Sequence, residues 1–144
     1  MVNARIGSYS ASGVRRRRQV ALKRKRLLAG IIRLVDEGRR ADAVPFLLAQ
    51  CARDPDLLGV RLVDVTMAVY ECGRQRALSD LAEADRVCGE QGLGGRLSMV
   101  TVGDCLKTQR VSYRLVAWLW ALCERHEHAR LMLPAGFPYG LLYK

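Results

Sequence analysis

Histidine, proline and closely spaced cysteines are what this chain has least of. It has two histidines, four prolines, two phenylalanines and two tryptophans in 144 residues. Sparse proline leaves long stretches free to be helical, because proline is the residue that most disrupts a helix interior. The two histidines, His126 and His128, give few groups that titrate near neutral pH. Two positions apart, they face different sides of a helix, so they read as a solvated helix end. Cys123 and His126 are one turn apart and offer two metal ligands, but a closed zinc site takes four and no second pair has that spacing. The cysteines are Cys51, Cys72, Cys88, Cys105 and Cys123, an odd number with wide spacings. That excludes a zinc ribbon and a complete disulfide framework, and points to a reducing cytoplasm.

Other absences narrow the function. The most apolar piece, residues 111–123, contains Arg114 and is well short of the ~20 residues that span a bilayer. No clean apolar run follows the N-terminal charges, as a secretion signal requires. The glycine-rich stretch Gly89–Gly95 has neither a preceding strand nor the Lys-Ser/Thr pair of a phosphate-binding loop. No acid pair and no nucleophile beside a base stands out. The expectation is a non-enzymatic protein with no cofactor, no metal and no membrane partner.

What is present is positive charge in one place. Residues 1–40 hold 12 Lys/Arg against Asp36 and Glu37, so the whole formal net charge of +10 lies there. The remaining residues balance 12 Lys/Arg with 12 acids. Two quartets, Arg15-Arg16-Arg17-Arg18 and Lys23-Arg24-Lys25-Arg26, each cover more than one helical turn. Val20, Leu27, Ile31 and Leu34 follow at helical spacing, with Leu28, Ile32 and Val35 beside them. Unpaired cations are too costly to bury, so the second half of this helix docks on a core while the first half projects. A basic rod on a neutral body suits a polyanion.

After Ser12 nearly every segment reads as helix, and no period-two strand pattern appears. The fold class is all-α, a compact bundle of about five to seven helices with a long basic N-terminal helix. Residues 1–13 are small and polar and are expected to be flexible. Residues 14–130 form a single domain, of which 14–38 are the basic arm, closed by Gly38 as a C-cap. Further helices are expected at 41–52, with Pro45 in the first turn, and at 57–71, 75–88 and 101–108. A last one, 111–127, is expected to put Val116, Leu119, Trp120 and Cys123 in the core. Residues 131–144 are apolar but rich in Pro and Gly, and are expected to pack on the domain or on a partner.

Residues 60–87 read as helix, glycine turn, helix, with Arg74 and Arg76 opening the second helix. Free N–H groups at a helix start, a glycine that admits close approach, and two arginines suit a backbone phosphate. The residues Tyr70-Glu71-Cys72-Gly73-Arg74, then Gln75-Arg76-Ala77, resemble the turn of the actinobacterial-type integration host factors, whose pattern is Pro-Gly-x-Gly-Lys followed by x-Arg-Ala. The second glycine, the following basic residue and the Arg-Ala pair match. Tyr70 and Glu71 stand where the family has proline and glycine, and an acid there would repel a phosphate. The resemblance covers residues 15–87 and implies a small helical protein that binds and bends duplex DNA. Residues 100–125 align with 60–85 at a shift of 40, sharing Val60/Val100, Asp64/Asp104 and Arg74/Arg114. As a diverged copy they would supply a second basic turn from Lys107, Arg110 and Arg114; as an ordinary amphipathic stretch they would not.

The leading expectation is a nucleic-acid-binding protein, for DNA or RNA, that grips the phosphate backbone with little sequence preference. Its contact residues would be Arg15–Arg18, Lys23–Arg26, Gly73, Arg74 and Arg76, with Lys107, Arg110 and Arg114 from the second turn. A second reading is a small helical subunit of a ribonucleoprotein assembly such as a CRISPR effector, contacting neighbouring protein subunits. A third is a protein–protein adaptor or a phage or host regulator working through residues 131–144 and the body, with the arm as a tail.

Overall fold

Helix α1 runs from Val2 to Asp36, about 52 Å at 1.5 Å per residue. The computed structural model describes residues 2–126, with side chains from Ala11 onward. The helix thus begins well before Val14, because no proline interrupts residues 2–13 and the strong helix formers that follow propagate it backward. Leu27, Ile31 and Val35 are its buried positions. Among the described side chains, none before Leu27 is buried. The helix closes as expected. Gly38 takes φ +76°, and Gly38 N and Arg39 N donate to Val35 O and Leu34 O at 3.0 and 2.7 Å. This is the paired closure that a left-handed glycine allows.

Helix α2, Ala43–Arg53, carries Pro45 in its first turn and buries Ala43, Val44, Leu47, Leu48 and Cys51. Asp54 then caps a short 3₁₀ turn, Pro55–Gly59, by accepting from Asp56 N. The single helix expected over 57–71 is broken here. Val60 and Arg61 are extended, and α3 runs only from Leu62 to Tyr70. The reason is an isolated antiparallel bridge between Arg61 and Thr101, in which Leu62 N donates to Val100 O and Val102 N to Val60 O, both at 3.0 Å. Six of the nine residues of α3 are buried, which makes it the central helix. A helix apolar all round belongs inside.

Helix α4, Arg74–Val87, buries Ala77, Asp80, Leu81 and Ala84 and packs chiefly on α5, Tyr113–Arg125. The helix expected over 101–108 is reduced to one 3₁₀ turn, Gly103–Cys105. Thr101 does cap it, reciprocally with Asp104: Thr101 N donates to the carboxylate at 3.0 Å and Asp104 N to the hydroxyl at 3.2 Å.

On α5 the buried residues are Leu115, Ala117, Trp118, Leu119, Ala121 and Leu122. Trp118 Nε1 donates to Thr66 Oγ1 at 3.1 Å, and Thr66 donates on to Leu62 O at 2.8 Å, which ties α5 to α3. Of the expected core stripe only Leu119 is inside; Val116 and Trp120 are 44% and 47% exposed, and Cys123 is exposed too. Both sets have helical spacing, and tertiary packing selected the other one.

The result is an all-α bundle of five α-helices among the described residues, with no named strand there. No helix among them is long and apolar enough to cross a membrane. The expectation for residues 131–144 lies outside the described residues.

Candidate nucleic-acid interface

The body divides the two basic quartets of α1. Leu27 and Ile31 face the core, and a helical projection puts Arg16, Lys23 and Arg24 on the flank nearest the Asp54–Gly59 segment. The contacts agree. Arg16 Nη2 lies 3.3 Å from Asp56 Oδ1, and Lys23 Nζ lies 3.0 Å from both Asp54 Oδ2 and Asp56 Oδ2. Arg24 Nε donates to Asp56 O at 3.2 Å. Its guanidinium lies where the Cβ of a residue larger than Gly59 would sit, so a larger residue there would push Arg24 aside. The hydrogen bonds that Lys23 donates to Asp56 and Asp54 raise its pKa, and the bond Asp54 accepts from Lys23 lowers that of Asp54.

The opposite side of α1 is different. Arg15, Arg18, Lys25, Arg26 and Arg33 recur on the solvent side, spaced with exposed Leu22 and Ala29, and Arg17 is exposed on the projecting half. Among the described residues no carboxylate or carbonyl takes a hydrogen bond from any of these six. From Arg15 to Arg33 the strip is about 27 Å long.

The second expected contact, the turn between α3 and α4, is present as helix, turn, helix. The left-handed residue in it, however, is Glu71 at φ 51°, while Gly73 has φ −76°. A Cβ on Gly73 would meet nothing within 4 Å. The glycine therefore serves no need of the turn itself; it leaves the start of α4 bare, where no side chain caps the helix. Arg74 is exposed, with no partner among the described residues. Arg76 is engaged: Nη2 donates to Arg125 O at 3.1 Å and Nε lies 3.7 Å from Asp80 Oδ1. Glu71 is drawn to Arg40 at 3.5 Å, which offsets its charge at the turn.

The third group is not one unit. Lys107 and Arg110 are exposed, but Arg114 turns inward. It donates to Asp104 O at 3.1 Å and its Nε is buried without a partner. Arg114 therefore holds the body together and is not presented to a ligand. The shift of 40 does coincide with the Arg61–Thr101 bridge, whose two hydrogen bonds exchange under it. It fails in between, where α3 maps onto two short 3₁₀ turns.

The segment read as a solvated helix end also proves to be structural at His126. Its Nε2 is 2.7 Å from Asp80 Oδ2, its side chain is 15% exposed, and its ring stacks on Tyr70 at 3.8 Å and 11°. Arg125 Nε holds the other oxygen of the fully buried Asp80 at 2.6 Å. A buried carboxylate needs such partners. The sequence signal was an acid at position 80, on the Ala77–Leu81–Ala84 face. Among the described residues no group of three or more His, Cys, Asp or Glu could hold a metal.

No family model matches the chain, and neither do the curated proteins or the solved structures compared with it.

Proposed function

We propose that this protein binds the phosphate backbone of nucleic acid with the solvent-facing strip of α1, largely without regard to sequence. The observation that carries the reading is the set of six exposed α1 cations, Arg15, Arg17, Arg18, Lys25, Arg26 and Arg33, that have no acceptor within the described chain. Cations left without internal partners are available to external ones, and binding them to phosphates releases condensed counterions. Such contacts position a protein on a polymer and carry no base information. The open start of α4, with Gly73 and Arg74, supports a further backbone contact, in line with the resemblance to integration host factors. Five free thiols fit the reducing cytoplasm in which such a protein would work.

A salt series on duplex DNA of unrelated sequences tests this. Six phosphate contacts give log K a slope of about −5 against log salt, from ~0.9 per phosphate. A flat line removes the electrostatic mechanism, and loss confined to one sequence points to base readout. The subunit and adaptor readings are favoured by one feature, the exposed apolar face Tyr113, Val116, Trp120 and Cys123 on α5. Deleting residues 1–26, which keeps the buried Leu27 and all that follows, separates them. A backbone binder loses its nucleic acid, whereas an adaptor keeps its partner.

A further inference from the structure

We infer that Asp54 and Asp56 act as an internal competitor for the arm: they occupy Arg16 and Lys23 in the free protein and yield them to nucleic acid. This deepens the reading above and rests on it. The two acids sit on either side of Pro55, at the start of the 3₁₀ turn, and Asp54 is fixed there by the bond it accepts from Asp56 N at 3.1 Å. One ammonium thus meets two carboxylates at 3.0 Å each, and Asp56 also takes Arg16. In charge the pair offers the arm what a phosphodiester chain offers, two anionic groups within reach of one ammonium.

All four partners are partly in water. The side chains of Arg16 and Lys23 are 73% and 43% exposed, and those of Asp54 and Asp56 are 32% and 26% exposed. Exposed pairs of this kind are weak and are screened by salt. A duplex, with a charge about every 1.7 Å of its axis, outcompetes two carboxylates for the same cations. The neighbouring contact behaves otherwise. Arg24 donates to a neutral backbone carbonyl over Gly59, so it anchors the arm to the body while Arg16 and Lys23 change partners. The consequence is selective. A polyanion must be dense enough to displace the acids, and so duplexes lose less to this competition than short single strands or free nucleotides.

The test is the Asp54→Asn, Asp56→Asn double variant of the full chain, titrated with a duplex and with a single strand of equal length across a salt series. Asparagine keeps the capping oxygen at position 54 and removes the charge. The expected result is duplex binding up to about tenfold tighter at low salt, from the loss of exposed ion pairs worth under about 1 kcal/mol each, with the log–log slope little changed, because the same cations meet phosphate in both complexes. The gain should vanish when Arg16→Ala and Lys23→Ala are added. Single-strand binding should gain more than duplex binding, because the competitor that discriminated against it is gone. Unchanged affinity would overturn the inference, and a slope steeper by about 2 would too, by showing that the acids keep Arg16 and Lys23 in the wild-type complex. Weaker binding would overturn it too, by making the acids a clamp that the arm needs. If neither protein binds any nucleic acid at low salt, the parent reading falls and takes this one with it.

Discussion

The arm and the body use the same residue type in opposite ways. In the body, several arginines bond to their own chain. Arg40 donates to Val69 O, Arg86 to Glu83, Arg114 to Asp104 O, and Arg125 to Asp80 and Ser79. Each is a strut. In the arm, among the described residues, Arg16, Lys23 and Arg24 alone are held, all by the short segment at 54–56, and the other described cations of residues 14–38 are exposed. The arm, residues 14–38, has nine Lys/Arg against two acids, so few acceptors lie within the helix itself. What distinguishes the two regions is the supply of acceptors within reach. Along the solvent side of α1 no acceptor among the described residues comes within reach.

The strongest way to break that comparison is to remove the free cations of each region in turn. Arg15, Arg18, Lys25 and Arg26 changed together to Ala should weaken duplex binding on the order of a hundredfold or more at low salt. The salt slope should become shallower by about 3.6, from ~0.9 per lost contact. Helicity by circular dichroism should be unchanged, since none of the four touches the core. The matching body variant changes Arg53, Arg96, Lys107 and Arg110, all exposed. It should leave binding within a few-fold. Equal losses from the two variants would mean that charge count matters and location does not.

The complementary test takes away a body acceptor. Asp80→Ala leaves Arg125 and His126 facing a buried gap. Removing one partner of a buried ion pair costs about 3–5 kcal/mol. The lower end applies here, because Arg125 is 30% exposed. A fall of about 3 kcal/mol in urea unfolding, with the salt slope of duplex binding intact, is the expected outcome. A destabilisation no larger than that of an exposed substitution would show that the cluster is ornamental.

What could be read from the sequence follows from how local each interaction is. The long basic helix, its Gly38 closure, Pro45 in a first turn and the α3–turn–α4 unit all depend on residues within a few positions of one another, and all were legible. The division of the arm was not, because the acids that claim Arg16 and Lys23 lie 40 and 33 residues away. Nor was the anchoring of His126 by Asp80, 46 residues distant. The bridge at Arg61 and Thr101 broke a helix that local propensity favoured. On α5 periodicity offered two apolar faces, Leu115–Trp118–Leu119–Leu122 and Val116–Trp120–Cys123, and only packing against Thr66 and its neighbours chose between them. Gly73 was legible as a turn residue, but its role differed, since Glu71 supplies the left-handed conformation.

The two tryptophans sharpen this last point. Trp118 is fully buried and hydrogen-bonded, whereas Trp120 is 47% exposed. Trp118→Ala should cost about 3–5 kcal/mol. Trp120→Ser should stay within about 0.5 kcal/mol in the isolated chain, the usual range for a surface change. A comparable cost at Trp120 would show that its face is covered in solution, and dilution or partner capture would then identify the cover.

The smallest effect concerns thiols, and it contrasts the core with the exposed face of α5 directly. Burial pushes Cys51 up to about 11 and Cys105 up to about 12, while Cys123 is exposed. A thiol reacts as its thiolate, so Cys123 should be alkylated first near pH 8. Cys51 and Cys105 should be protected until the protein unfolds. The linkage has a definite sign. These two groups have folded pKa values above the ordinary thiol value of 9.0. Their neutral forms therefore favour the fold below about pH 9, and that contribution is lost as pH rises through the folded values. Mass-resolved alkylation at pH 8 and again at pH 10 should find the same order of reactivity. If Cys51 or Cys105 reacted as fast as Cys123 in the native protein, the helices around it would be opening readily, and the contrast between a rigid body and a projecting arm would fail.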